Sequence, residues 1–204
     1  YLQEAISNAI KTEGEQLLNF DEKMQQLQNR ILSLRKWNPN EGWPDVSTTT
    51  LLLTNSEWLM PYLNNIKKPE ELKKIDLHDA LLNSLDWNLQ QALNELTPSK
   101  INVPSGSAIS VEYLPNGETP ILSVRLQEVF GLADTPKING GKISVVMHLL
   151  SPGFKPVQVT SDLRSFWNNT YFEVKKELQR RYPKHAWPDE PWEAKAVAKG
   201  GVRK

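Results

Sequence analysis

Ile109-Ser110-Val111-Glu112-Tyr113-Leu114-Pro115-Asn116-Gly117-Glu118-Thr119-Pro120-Ile121-Leu122-Ser123-Val124 is the segment on which the fold class turns. Ile109, Val111 and Tyr113 alternate with Ser110, Glu112 and Leu114, the period of two that a half-buried strand shows. Pro115-Asn116-Gly117 reads as a hairpin turn, because Asn-Gly tolerates positive φ. Residues 120–124 return as a second strand, and Leu126, Val129 and Phe130 then take helical spacing up to Gly131, a helix-ending residue. A second round follows: a strand over residues 143–150, a turn at Ser151-Pro152-Gly153, a strand over 156–159, and a helix opening with Leu163, Phe166 and Trp167. Ile109-Ser110-Val111 matches Ile143-Ser144-Val145. One reading is a duplicated strand–turn–strand–helix unit; the other is turn chemistry shared by unrelated hairpins.

Upstream of this segment the period changes. Leu2, Ile6, Ala9, Ile10 and Leu17 form a helical stripe with a slip near Gly14, and Phe20, Met24, Leu27, Ile31 and Leu34 keep one helix face. Asn38-Pro39-Asn40 and Gly42-Trp43-Pro44 break the pattern. Ser47 and Asp76 are helix caps by type and position, Pro69-Glu70-Glu71 suits a first helical turn, and Thr97-Pro98 ends the last helix. The expected class is therefore α+β. A helical bundle covers residues 1–98. Residues 99–192 form two antiparallel hairpins, each followed by a helix. A flexible, weakly apolar tail covers 193–204.

Composition narrows the function. The chain has 204 residues, 24 basic and 24 acidic, and no cysteine. Without cysteine there are no disulfides, thiolate metal sites or thiol nucleophiles. The apolar runs are too short to span a bilayer, and His78, His148 and His185 lie too far apart for a local metal motif. The zero net charge hides an asymmetry: residues 1–100 sum to −4 and residues 101–204 to +4. Tyr1 lies inside an apolar-periodic stretch, so the chain reads as a piece of something longer.

Most catalytic motifs fail on spacing. Gly140-Gly141-Lys142 lacks the upstream glycine and the following Ser or Thr of a phosphate loop, and reads as a turn. Trp43-Pro44-Asp45 and Trp187-Pro188-Asp189 spell a phosphatase loop, but no cysteine nucleophile exists for it. Ser105 and Ser107 have no neighbouring base in sequence. Asn168-Asn169-Thr170 is a glycosylation sequon, while Thr170 with Glu173 reads as a capping box. The segment from Arg164 to Lys184 holds six basic and two acidic residues. Lys176, Arg180 and Lys184 recur every four residues, so a continuous helix would align them. Lys175, Arg181, Tyr182 and Trp187 lie close by. Cations interleaved with aromatics suit phosphate contacts and base stacking; a solvated face with a Glu177–Arg181 pair is the plain alternative.

Several strings are more specific than any pattern: Val103-Pro104-Ser105-Gly106-Ser107, Leu126-Gln127-Glu128-Val129-Phe130-Gly131-Leu132, His148-Leu149-Leu150-Ser151-Pro152, and Arg181-Tyr182-Pro183-Lys184-His185 with Trp187-Pro188. Together they resemble the C-terminal region of the HrpB family of bacterial ATP-dependent RNA helicases, of the DEAH/DExH class. Phe172 and Ala186 stand where many relatives carry proline. The resemblance implies a cytoplasmic parent whose two RecA-like motor domains bind ATP and Mg and hydrolyse the nucleotide. No Walker A loop or Asp-Glu-x-His string occurs here, so the family's ATP-site residues map onto no position and no cofactor is expected in this chain. The expected role is a non-catalytic accessory region that contacts RNA beside the motor domains of the same parent chain, with no membrane. Lys175, Lys176, Arg180, Arg181 and Lys184 would meet phosphates, and Tyr182 or Trp187 would stack on a base. The alternative is a structural brace that docks on the motor without touching RNA.

Overall fold

The structure, a computed structural model, describes residues 2–198. They divide into two compact units. One takes the chain up to Thr97 together with Tyr113–Glu118; the other takes Pro98–Glu112 and the chain from Thr119 onward.

The first unit is helical. Its two long helices are α1 (Leu2–Leu17) and α2 (Glu22–Trp37), followed by shorter α3 (Thr48–Leu53), α4 (Asn55–Trp58), α5 (Met60–Leu63), α6 (Pro69–Leu72), α7 (Leu77–Ser84) and α8 (Trp87–Leu96). Ile10, Met24, Leu27, Ile31, Leu34, Leu59 and Leu63 are fully buried at its centre. The caps have a direct cause: Asp21, Ser47 and Asp76 each accept a hydrogen bond from a backbone N–H of the first turn. Gly14 marks a close approach rather than a slip in the stripe. It is buried in α1, and a Cβ there would overlap Cδ2 of Leu52 on α3. Asn55 is fully buried and ties the same helices. Its Oδ1 accepts from Ser7 Oγ at 2.7 Å, and its Nδ2 donates to the carbonyls of Ser7 and Leu52.

Tyr113–Glu118 is held by side chains of α2. Gln26 both accepts from the Tyr113 N–H (2.8 Å) and donates to its carbonyl (3.0 Å), as a neighbouring strand would, and Asn29 donates to that carbonyl as well. Lys36 donates to Asn116 O, and Trp37 Nε1 to Gly117 O. The Asn-Gly turn is present, with φ of 61° at Asn116 and 63° at Gly117.

The second unit is built on a five-stranded mixed sheet, confirming the α+β class. Its strands are β1 (Lys100–Asn102), β2 (Ala108–Glu112), β3 (Ile121–Arg125), β6 (Val146–Leu150) and β7 (Pro156–Thr160), in the order β1-β2-β3-β6-β7. β4 (Lys137–Ile138) and β5 (Ile143–Ser144) form a separate antiparallel pair. The two expected hairpins exist as antiparallel β2–β3 and β6–β7, but they join through parallel β3–β6, with Leu122 opposite Met147 and Val124 opposite Leu149.

Three expectations about layout are corrected. Residues 126–128 form only a 3₁₀ turn in place of a helix after the first hairpin. Five consecutive residues, Leu126 to Phe130, are all buried, so their apolar spacing reflects burial on every side and not one face of a helix. The strand over 143–150 is interrupted: Val145 is fully buried, its N–H turns to Pro136 O, and Val146 joins the main sheet. Only the second hairpin is followed by helices, α9 (Leu163–Asn168) and α10 (Tyr171–Arg181), and Ile143-Ser144 lies outside the main sheet. The duplicated unit is therefore absent. Within the tail, the N–H of Val197 donates to Gln127 O and that of Gly131 to Pro191 O, so residues 191–197 lie along the buried turn. Residues 199–204 fall outside the described residues.

Candidate nucleic-acid interface

α10 is anchored by an aromatic cluster. Tyr171 packs edge-on against Phe130, Phe166 and Trp167, with the Trp167 ring centre 5.3 Å away. Trp167 Nε1 donates to Leu132 O, and the Tyr171 hydroxyl donates to Pro188 O, each at 2.7 Å. Burial pushes the Tyr171 phenol well above its ordinary pKa. With Tyr171 and Leu178 buried, the helix turns Glu173, Lys176, Glu177, Arg180 and Arg181 outward, while Lys175 stays on the covered side.

The start of α10 differs from expectation. Thr170 is its first flanking residue, but its side chain makes no capping bond. At φ −75° and ψ −28° Thr170 is already helical, and its hydroxyl is not placed to fold back on the first turn.

The seven expected RNA-contacting residues separate into two groups. Lys175 is ion-paired with Asp189 and mostly buried. Arg181 lies 3.7 Å from Glu177, the pairing the plain alternative anticipated. Tyr182 packs edge-on against His185, and its hydroxyl lies 3.4 Å from Ser151 Oγ. Trp187 Nε1 donates to Tyr182 O at 3.0 Å. Lys175, Tyr182 and Trp187 are thus engaged in packing and hydrogen bonding, and Arg181 in a solvent-exposed pair. Lys176, Arg180 and Lys184 have no partner among the described residues, and Arg180 and Lys184 are exposed. The single helical face is nevertheless broken. α10 stops at Arg181 because Pro183 disfavours a helical residue before it, and Tyr182 leaves the helix at ψ 63°. Lys184 therefore lies beyond the helix end.

The two Trp-Pro-Asp strings are packing turns. Asp45 accepts from the Ser47 N–H and the Thr50 hydroxyl, and these bonds, the backbone one first, hold its carboxyl below the usual carboxylate range. In the second string, Pro188 O receives the Tyr171 hydroxyl and Asp189 pairs with Lys175. Asn139-Gly140-Gly141 turns the chain between β4 and β5 with three successive positive φ angles.

One cluster escaped sequence reasoning. Glu128, buried, accepts from Ser107 Oγ (2.6 Å) and Ser105 Oγ (3.2 Å) through Oε1 and from Arg125 Nε (3.1 Å) through Oε2. Arg125 also donates to Ala198 O, and its guanidinium lies 4.5 Å from the Phe154 ring centre. The carboxylate is thus the missing neighbour of the two serines. Both its oxygens are occupied, which suits a brace and not a general base. The i, i+3 spacing of Arg125 and Glu128 was the only readable signal.

Two other features are accounted for within the helical unit. Asp76, His78 and Asp79 bring potential metal-ligand atoms within 4.8 Å of one another, but Lys23 bonds both aspartates and Asp76 caps α7. A cleft of about 340 Å³ over Leu51, Trp58 and Leu85 carries Asp45, Glu57 and Asp86, a charge that opposes phosphate. No helix among the described residues is long and apolar enough to cross a membrane.

The family described as ATP-dependent helicase C-terminal matches residues 58–191. This chain belongs to that family. It is 41% identical over 190 residues to the ATP-dependent RNA helicase HrpB of Escherichia coli strain K12, covering 93% of this chain and 23% of the relative. The crystal structure of the E. coli DExH-box NTPase HrpB superposes with a TM-score of 0.92 at 39% identity, over 98% of this chain and 24% of that one. A second, of the E. coli DEAH/RHA helicase HrpB, gives 0.79 at 39% identity over 91% and 23%. The chain spans about a quarter of the length of these HrpB relatives.

Proposed function

We propose that this HrpB-type C-terminal region contributes single-stranded RNA contacts beside the motor domains of a longer helicase. The observation that carries the reading is the sorting of the basic segment. Lys175 is paired with Asp189 and Arg181 lies beside Glu177 in a solvent-exposed pair, while Lys176, Arg180 and Lys184 are unpaired among the described residues. Cations without partners are the ones free to displace counterions from a phosphate chain. ATP and Mg would be bound by the motor domains, and coupling to RNA movement would come from them.

The test is equilibrium binding of the full chain to single-stranded RNA across salt. Each phosphate neutralised contributes about 0.7 to the slope of log affinity against log salt for single strands. Alanine at Lys176, Arg180 and Lys184 together should reduce that slope by about 2. An unchanged slope refutes the reading.

A brace without RNA contact is the second reading. The exposed apolar side chains of Leu2, Leu53 and Trp87 on the helical unit favour it. Failure of the chain to bind RNA, together with loss of motor docking on substituting Trp87, would support this reading.

A further inference from the structure

We propose that Phe154 is a stacking platform for one base of single-stranded RNA, an inference that rests on the RNA-contact reading above. Phe154 sits in the turn between β6 and β7 at φ 62°, a region that bulky side chains avoid. The turn is over-determined by its own bonds. Phe154 N–H donates to Ser151 O, Ser151 N–H to Lys155 O, and Lys155 N–H to Ser151 Oγ at 3.1 Å. Local structure thus enforces a backbone that holds the ring outward, 64% exposed.

The ring is not bare on both sides. The Arg125 guanidinium lies 4.5 Å from its centre, and Arg125 is itself fixed by Glu128 and the Ala198 carbonyl. Ser105 and Ser107 fix Glu128 in turn. The buried cluster therefore has a product at the surface: a rigid cation behind an exposed aromatic, with the rest of the ring open. A base can stack on such a ring whatever its identity, and the nearby cation adds attraction for the nucleotide.

The turn that carries the platform also packs against the end of α10. A Cβ at Gly153 would come within 2.6 Å of the Tyr182 hydroxyl, so the turn packs directly on the residue that ends α10. Arg180 precedes that residue, Lys184 follows it, and Lys155 is the exposed neighbour of Phe154. An exposed aromatic with Arg125 on its ring and the exposed Lys155 next in the chain fits a nucleotide, with its base and phosphate, better than an apolar protein pocket. A single strand is required, because a duplex keeps its base faces stacked.

The experiment compares binding of the full chain to a short oligoadenylate and to an abasic strand of equal length. Phe154→Ala should weaken oligoadenylate binding about ten-fold, leave abasic affinity and the salt slope unchanged, and Phe154→Trp should retain binding. Equal weakening on both strands overturns the platform, because it indicates a structural or docking role. So does wild-type affinity of Phe154→Ala for oligoadenylate, and Phe154 then becomes a protein contact. If the Lys176, Arg180 and Lys184 variant still loses salt slope, only the platform has failed. If the unaltered chain binds neither strand, the RNA-contact reading fails with it.

Discussion

Replacing Gly14 by alanine tests the tight approach of α1 to α3. On helix propensity alone the change should stabilise by about 1 kcal/mol, since glycine in a helix interior is unfavourable by that amount. The structure predicts the opposite sign. The new Cβ would overlap Leu52 Cδ2 and lie 3.3 Å from both Leu52 Cγ and Ile10 Cγ2, so rotation of one methyl does not clear it. Overpacking of this kind costs about 1–3 kcal/mol, leaving a net loss of about 1 kcal/mol. Urea unfolding followed by far-ultraviolet circular dichroism measures it. With a slope of about 2 kcal/mol per molar, the midpoint should fall by about 0.5 M. A double-mutant cycle removes ambiguity: in a Leu52→Ala background the obstacle is gone, and Gly14→Ala should become stabilising by about 1 kcal/mol. A midpoint that rises in the Leu52 background and in its absence alike would refute the close-packing argument.

Asn55→Ala should destabilise the helical unit by about 2–3 kcal/mol in the same assay, because it strands the buried Ser7 hydroxyl and removes the side-chain bonds to the Ser7 and Leu52 carbonyls. Gln127→Met should have the reverse effect, raising stability by about 1 kcal/mol. The Gln127 amide is buried with no hydrogen-bond partner among the described residues, so replacing it removes a desolvation cost. Acid should weaken the helical unit in a defined window. The folded carboxyls of Asp45 and Asp76 titrate below their ordinary value of 3.8, each chiefly because a backbone N–H bonds the ionised form. Their contribution is present above pH 3.8 and lost as pH falls through the folded values; Asp45→Asn with Asp76→Asn should flatten that limb of the titration. Finally, Lys175→Ala should leave the salt slope of RNA binding unchanged, because Asp189 already neutralises this lysine.

Local signals carried much of the fold. Ser47, Asp76 and Asn116-Gly117 act as their residue types suggest, because a cap or a tight turn is decided within four residues. The alternation in β2 and β3 also matches burial, with Val111, Leu122 and Val124 inward. Non-local facts stayed hidden. Nothing within residues 126–130 distinguishes an all-round buried 3₁₀ turn from one face of a helix. The parallel β3–β6 pairing depends on segments about twenty residues apart. In the candidate interface the residue types were visible but their partners were not. Asp189 removes Lys175 from consideration from fourteen positions away. The exposure of Phe154 is not written in its neighbours, because the positive φ that exposes it belongs to the backbone. The end of α10 was legible in Pro183, and that proline is why Lys184 does not continue the helical row.

The hold of Gln26 and Asn29 on Tyr113 has a consequence for how this chain can be divided. Tyr113–Glu118 belongs to the helical unit, while the strands on either side, β2 and β3, belong to the other. A protein truncated after Thr97 would lose Tyr113, a fully buried side chain of the unit it was meant to preserve, and would leave four α2 side chains facing solvent where a strand-like segment had bonded them. No single cut releases an intact helical unit. A transfer of the helical unit to another chain therefore has to carry Tyr113–Glu118 with it.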